Sequence, residues 1–278
     1  MSTAEALRIE SLSIAFGGLK AVDNLSLTVY DGEIFGLIGP NGAGKTTVFN
    51  CVTQFYRPDA GHVYFTVDTD RLRRHGHASG ASSGSEVIDL VGRPVHTIIH
   101  YGVVRTFQNV EVVPELSVLE NVLIGAHIDF RATIAEQMLR LPRARREEQA
   151  LRTKAQDVLD FLGIGDLAGR LVGGQPFGVL KKIELARTLM AEPRLIILDE
   201  PAAGLNDTET EDLAGSIRQI RDGYGCTVLL VEHDMRLVMG VCERICAISF
   251  GKFLALGTPA EIQANPLVQE AYLGAHDE

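Results

Sequence analysis

Gly39-Pro40-Asn41-Gly42-Ala43-Gly44-Lys45-Thr46-Thr47 sets glycines, a lysine and hydroxyls at the spacing G-x-x-x-x-G-K-[ST]. Glycines at 39, 42 and 44 let the backbone curl tightly, so that successive N–H groups and the positive end of a following helix converge on phosphate oxygens. Lys45 adds a point charge for β- and γ-phosphates, and the Thr46 hydroxyl is placed to ligate Mg²⁺. The contacts formed by Gly39, Asn41, Gly42, Ala43, Gly44, Lys45, Thr46 and Thr47 are therefore the candidate seat of a nucleoside triphosphate such as ATP.

A second set of candidates closes the aliphatic run Leu195-Ile196-Ile197-Leu198 with Asp199-Glu200. Strand ends are where an open α/β sheet places its ligands. Successive strand side chains point opposite ways, so the two acids take different tasks. Asp199 is suited to hold Mg²⁺, directly or through water; Glu200 is suited to accept a proton from, or orient, the water that attacks the γ-phosphorus. His233 follows another apolar run, Val228-Leu229-Leu230-Val231, where a neutral imidazole can donate to the γ-phosphate. Gln108 follows the short strand 103–107, and its amide can reach both metal and attacking water.

These groups need a scaffold, and the hydrophobic pattern predicts one. Residues 7–14 and 25–29 alternate as half-buried strands, and the apolar run 34–38 reads as a buried strand before the loop, with a helix over 46–54 after it. From 68 to 92 the composition turns to His, Gly, Ser and Arg, and 75–85 reads as a flexible, poorly ordered insertion. Between 95 and 169 the spacing is helical, with Ser117-Val118-Leu119-Glu120 as a capping box and apolar residues at helical intervals in the charged stretch 143–162. Strand and helix then alternate, with strands at 195–198, 227–231, 245–249 and 253–256, and Thr258-Pro259-Ala260-Glu261 opens a short C-terminal helix. That alternation predicts an α/β fold with a mostly parallel sheet covered on both sides. Three parts are expected: 1–94 with the N-terminal strands and the phosphate loop, a helical part at 95–175, and the rest of the core at 176–278.

The remaining features exclude more than they assign. A formal charge of −10 argues against a nucleic-acid surface, which needs clustered Lys and Arg. The short basic runs 71–74 and 143–146 read as solvated faces. Cys51, Cys226, Cys242 and Cys246 have no metal-binding spacing, and the last two fall one helical turn apart. No apolar stretch reaches the roughly twenty residues of a membrane span. The first ten residues lack the pattern of a secretory signal, so the expected location is cytoplasmic.

Taken in order, the phosphate loop, a glutamine after a strand, Glu184-Leu185-Ala186-Arg187, the Asp-Glu strand end and a later histidine resemble the ATPase subunits of ABC transporters over nearly the whole chain. Phe16-Gly17-Gly18-Leu19, Val104-Arg105-Thr106-Phe107-Gln108, the run 199–206, Glu232-His233-Asp234-Met235, Asn265-Pro266 and Ala271-Tyr272-Leu273-Gly274 are most similar to branched-chain amino acid importers. The resemblance implies a P-loop NTPase core of the RecA-like kind with an N-terminal antiparallel β subdomain and an inserted α-helical subdomain. It further implies Phe16 stacked on adenine, Gln108 at the contact with a membrane subunit, and Asn206 in a loop crossing a dimer interface.

The family signature, L-S-G-G-Q in most members, meets the γ-phosphate of an opposing subunit. Leu171-Val172-Gly173-Gly174-Gln175 resembles it but lies too far from Glu184-Leu185-Ala186-Arg187. The family's spacing selects Gln175-Pro176-Phe177-Gly178-Val179, in which proline replaces serine and removes a hydroxyl and an N–H, leaving Pro176, Phe177 and Gly178 as the trans contact.

The implied partners are transmembrane permease subunits, a second ATPase subunit and, indirectly, an extracytoplasmic solute-binding protein. The expected site of work is the cytoplasmic face of the membrane. The other reading is a low-turnover ATP-gated clamp for protein or DNA, motivated by the proline and the polar insertion; the acidic charge and single cassette count against it.

Overall fold

The computed structural model describes residues 4–74, 84–106, 111–127 and 141–273. The N-terminal alternation becomes two long antiparallel strands, β1 (Glu5–Phe16) and β2 (Leu19–Tyr30). After β3 (Ile34–Ile38), β4 (Ala60–Asp68) pairs antiparallel with β1, and β5 (Ser85–Asp89) with β4, giving one sheet in the order β2-β1-β4-β5. The other sheet runs β10-β9-β3-β8-β7-β6, with β6 (Val103–Arg105), β7 (Leu195–Asp199), β8 (Thr227–Val231), β9 (Arg244–Ser249) and β10 (Lys252–Gly257). Its neighbours are parallel except β10, which returns antiparallel to β9.

Every residue of β3, β7 and β8 is buried, as continuous apolar runs in a parallel sheet require. Residue parity then decides which core each side chain joins. Phe35, Leu37, Leu195, Ile197, Leu229 and Val231 face the antiparallel sheet, and α1 (Lys45–Val52) shares that core through Val48, Phe49 and Val52. Phe49 is fully buried there, which contributes about 2–3 kcal/mol. Ile34, Ile38, Ile196, Leu198, Val228 and Leu230 join the opposite core. That core is completed by residues of α4 (Val118–Ile124), α5 (Pro142–Phe161), α6 (Phe177–Met190), α7 (Asp207–Tyr224) and α8 (Met235–Val241). The expected capping boxes form at Ser117 and at Thr258, which starts α9 (Pro259–Ala264) ahead of α10 (Pro266–Leu273). Among the described residues no helix is long and apolar enough to cross a membrane.

Four sequence expectations change. The polar stretch 68–92 contains α2 (Thr69–Arg74) and β5, because β4 offers an edge for β5 to pair with; residues 75–83 lie outside the described residues. Arg71 is not on a solvated face. It is 5 % exposed, and its guanidinium donates to the carbonyls of Ile99 (3.0 Å) and His100 (3.0 Å) in α3 (Val95–Tyr101) and of Ala191 (2.8 Å) and Glu192 (2.5 Å) just past α6. One planar fork thus satisfies carbonyl groups at two helix C-termini, which local sequence cannot reveal. Residues 103–105 belong to the parallel sheet, since β6 pairs with β7, so the helical part begins beyond them. Cys242 ends α8 while Cys246 lies on β9, so they are not a helical pair. All four cysteines are buried, and burial pushes each thiol up to about 12.

Candidate active site

Three neighbouring strands of the parallel sheet, β3, β8 and β7, present their C-terminal ends side by side. Each end passes directly into a candidate segment: Ile38 into the phosphate loop, Asp199 into Glu200, and Val231 into Glu232 and His233.

The loop's glycines are demanded by close approach. A Cβ at Gly39 would stand 2.3 Å from the Ile248 carbonyl, and one at Gly44, where φ is +100°, would stand 2.3 Å from the Ala21 carbonyl. Gly42, at φ +77°, has open space on its Cβ side. Gly44 at the N-cap of α1 offers no side-chain acceptor, so the first-turn amides of that helix have none within the helix or from its cap. An uncapped helix start beside an open glycine fits a phosphate group. Asn41, Gly42, Ala43, Gly44, Lys45, Thr46 and Thr47 line a cleft of about 460 Å³ together with Leu19, Lys20, Glu200 and Phe250.

Lys45 is 7 % exposed and donates to the carbonyls of Gly39 (2.7 Å) and Pro40 (3.1 Å). Burial pushes its ammonium below the usual lysine range, and the charges of Glu200 and Asp199 pull it partly back. Asp199 is buried, and its Oδ2 accepts from Arg105 Nη2 at 2.6 Å. Glu200 sits at φ +48°, with its amide bonded to the Val231 carbonyl at 2.9 Å. His233 is more than half exposed; its Nδ1 stands 3.8 Å from Glu200 Oε1 and 3.8 Å from Glu232 Oε2, too far for hydrogen bonds but inside the same charged cluster. Lys45, Thr46, Asp199, Glu200 and His233 therefore stand close to one another at these strand tips.

The other candidates are placed differently. Phe16 is half exposed, so it is no core aromatic, and its ring meets Tyr56 edge-on at 5.2 Å without lining the cleft. Gln108 lies outside the described residues. Pro176 is the N-cap of α6, Phe177 is its first residue, and Gly178 lies beside the Glu209 carboxylate. The competing Leu171–Gln175 run ends before that helix begins; Leu171 bridges to Ser117 instead. Asn206 is exposed, and its side chain caps α7 in a capping box with Glu209.

Two further residues escaped the sequence analysis. Glu232 is wholly buried, and its carboxylate accepts from the amides of Ala202 (2.7 Å), His233 (2.9 Å) and Asp234 (3.1 Å). Arg105 bridges Asp199 and Asn50. The only available signals were an acid ending a buried strand and a cation inside a short apolar one.

Parallel strand tips, an amide cradle and an acid pair define an ATP-binding cassette of the P-loop class. The chain belongs to the ABC transporter family, whose pattern matches residues 22–203, and residues 254–278 match the branched-chain amino acid ATP-binding cassette transporter family. It is 41 % identical over 268 residues to the high-affinity branched-chain amino acid transport ATP-binding protein LivG of Escherichia coli, covering 96 % of this chain and 97 % of that one. It is equally 41 % identical over 268 residues to the corresponding protein BraF of Pseudomonas aeruginosa, with the same coverage. Among solved structures it resembles the ADP conformation of an ATP-binding cassette of an ABC transporter, with TM-score 0.79, 31 % identity and coverage of 98 % of this chain and 100 % of that one. A nucleotide-free cassette from an ABC transporter is similar at TM-score 0.76 and 30 % identity, covering 96 % and 98 %. This chain is accordingly an ATPase subunit of the ABC transporter type.

Proposed function

We propose that this chain powers an importer of branched-chain amino acids, or of a related small polar compound, from the cytoplasmic face of the membrane. The observation that carries the reading is the convergence of Lys45, Asp199, Glu200 and His233 at three adjacent strand tips, in a chain similar over its whole length to proteins named for that transport. In this reading Phe16 packs on the adenine, and the loop amides with Lys45 bind the phosphates. Glu200 takes a proton from the attacking water, and His233 donates to the γ-phosphate. Thr46, Asp199 and Gln108 would hold Mg²⁺; the exposed hydroxyl of Thr46 and the buried carboxylate of Asp199 are hard oxygen ligands that fit it. The bound ion supplies charge neutralisation on the β- and γ-oxygens.

A second ATPase subunit, the same chain or a homologous one, completes the site by bringing Pro176, Phe177 and Gly178 to the γ-phosphate, with Asn206 in the loop at that interface. Permease subunits receive the motion, with Gln108 as the residue expected to contact them, and a solute-binding protein outside the membrane delivers the cargo. The formal charge of −10 speaks against a nucleic-acid partner.

Co-expression with permease subunits of a branched-chain amino acid importer tests the reading. A complex that survives detergent extraction and, in proteoliposomes, takes up leucine, isoleucine or valine only when ATP is supplied is the expected result. An ATPase that copurifies with no permease and drives no uptake overturns it.

A further inference from the structure

Arg105 ends β6, and its guanidinium leaves the sheet toward the neighbouring strand tip. Nη2 donates to Asp199 Oδ2 at 2.6 Å, and Nη1 donates to Asn50 Oδ1, on the phosphate-loop helix, also at 2.6 Å. The side chains of Asp199 and Arg105 are 5 % and 14 % exposed, so this is a shielded ion pair. Nε is buried and has no acceptor among the described residues. A guanidinium kept in the interior with a donor unused is there for its charge.

The charge has a plain reason. A buried carboxylate without a cation is strongly disfavoured, so Asp199 needs a counter-ion whenever the cleft is empty. The reading above gives Asp199 to a divalent cation, and the inference rests on that reading. A guanidinium bonded to one oxygen of that carboxylate and a divalent ion drawn to the same group repel each other across a poorly screened interior. Arg105 also lines a second cleft, of about 200 Å³, together with Glu111 and Glu184.

We propose that Arg105 is a stand-in counter-ion for the divalent cation at Asp199: the ion pair and the loaded cation exclude one another, and cation loading releases the end of β6. Arg105 is a positioning residue in this scheme. The strand end it restrains is otherwise held to β7 by the parallel ladder over 103–105 and by the Thr106 amide, which bonds the Ile197 carbonyl at 2.9 Å.

Mn²⁺ binding, followed by electron paramagnetic resonance with a non-hydrolysable ATP analogue present, tests this on the whole chain. Arg105→Gln is expected to bind Mn²⁺ about tenfold more tightly than the unmodified protein, and Arg105→Lys, which keeps the charge but loses the fork, to fall between them. In the unmodified protein, amide hydrogen exchange at 104–106 is expected to speed up with Mn²⁺ and analogue but not with analogue in EDTA; in Arg105→Gln it is expected to be fast in both. Equal Mn²⁺ affinities, weaker binding by Arg105→Gln, or exchange insensitive to Mn²⁺ each overturn the proposal. Should Arg105→Gln fail to fold, Arg105→Lys and the exchange of the unmodified protein decide alone. Analogue affinity with Mn²⁺ present separates the two levels: binding there with no Arg105 effect removes this proposal only, whereas no binding with or without Mn²⁺ removes the nucleotide reading beneath it.

Discussion

Glu232 at the tip of β8 and Ala202 beyond the tip of β7 are joined by a 2.7 Å hydrogen bond from the Ala202 amide to Glu232 Oε1. The other oxygen of the same carboxylate holds the amides of His233 and Asp234. One buried acid thus sets the turn after the Asp199-Glu200 pair and the turn carrying His233 at a fixed separation. Glu232→Ala leaves these amides without their acceptor and is expected to cost about 3 kcal/mol, read as a lowered urea midpoint. Glu232→Gln, which keeps one acceptor oxygen, is expected to lose less. An unchanged midpoint in Glu232→Ala would show that water replaces the carboxylate at no cost.

Glu200→Gln keeps the size of the side chain and removes its basicity. Hydrolysis is expected to fall by about 10²–10⁴-fold with ATP affinity retained, the range for a lost general base. Phosphate release at saturating ATP, paired with equilibrium binding of a fluorescent analogue, measures the two quantities separately. Hydrolysis at the unmodified rate removes Glu200 from its role.

Burial holds Lys45 below the ordinary lysine range, so at neutral pH the folded protein carries an ammonium that it stabilises less well than water does. The unfolded chain therefore binds more protons between the depressed folded value and the ordinary value near 10.5, and stability rises with pH across that window. Lys45→Met is expected to be more stable than the unmodified protein without nucleotide at pH 7, with the difference shrinking as pH rises through the window. The same variant is expected to lose nucleotide binding. Urea midpoints across pH 7–10.5 check the first expectation, and a difference that grows with pH contradicts it.

Pro176 caps α6 with no side-chain acceptor, and its backbone is already extended, at φ −56° and ψ 149°. Serine fits that conformation, offers a cap worth about 1 kcal/mol and restores the missing hydroxyl and N–H. Pro176→Ser is expected to raise the unfolding temperature and to increase turnover by up to about tenfold, the effect of one added hydrogen bond to the transferring group. Steady-state hydrolysis by the assembled complex is the measurement. A stabilised variant with unchanged turnover would place the signature elsewhere.

Local chemistry made much of this protein legible from the chain alone. The phosphate loop declared itself because the tight curl, the charge and the hydroxyl lie within nine consecutive residues, and the apolar runs at 195–198 and 228–231 marked buried strands because only a sheet covered on both faces tolerates them. What needed the tertiary structure is every relation that crosses between elements. The interior setting of Arg71, the pairing of Arg105 with Asp199 and Asn50, and the reach of Glu232 to Ala202 join residues 28 to 121 positions apart. Such pairings depend on which strand lies beside which and on where helix ends meet, and no periodicity in a single segment encodes that order. Arg71 therefore looked like surface until the packing put it inside, where a guanidinium must have partners.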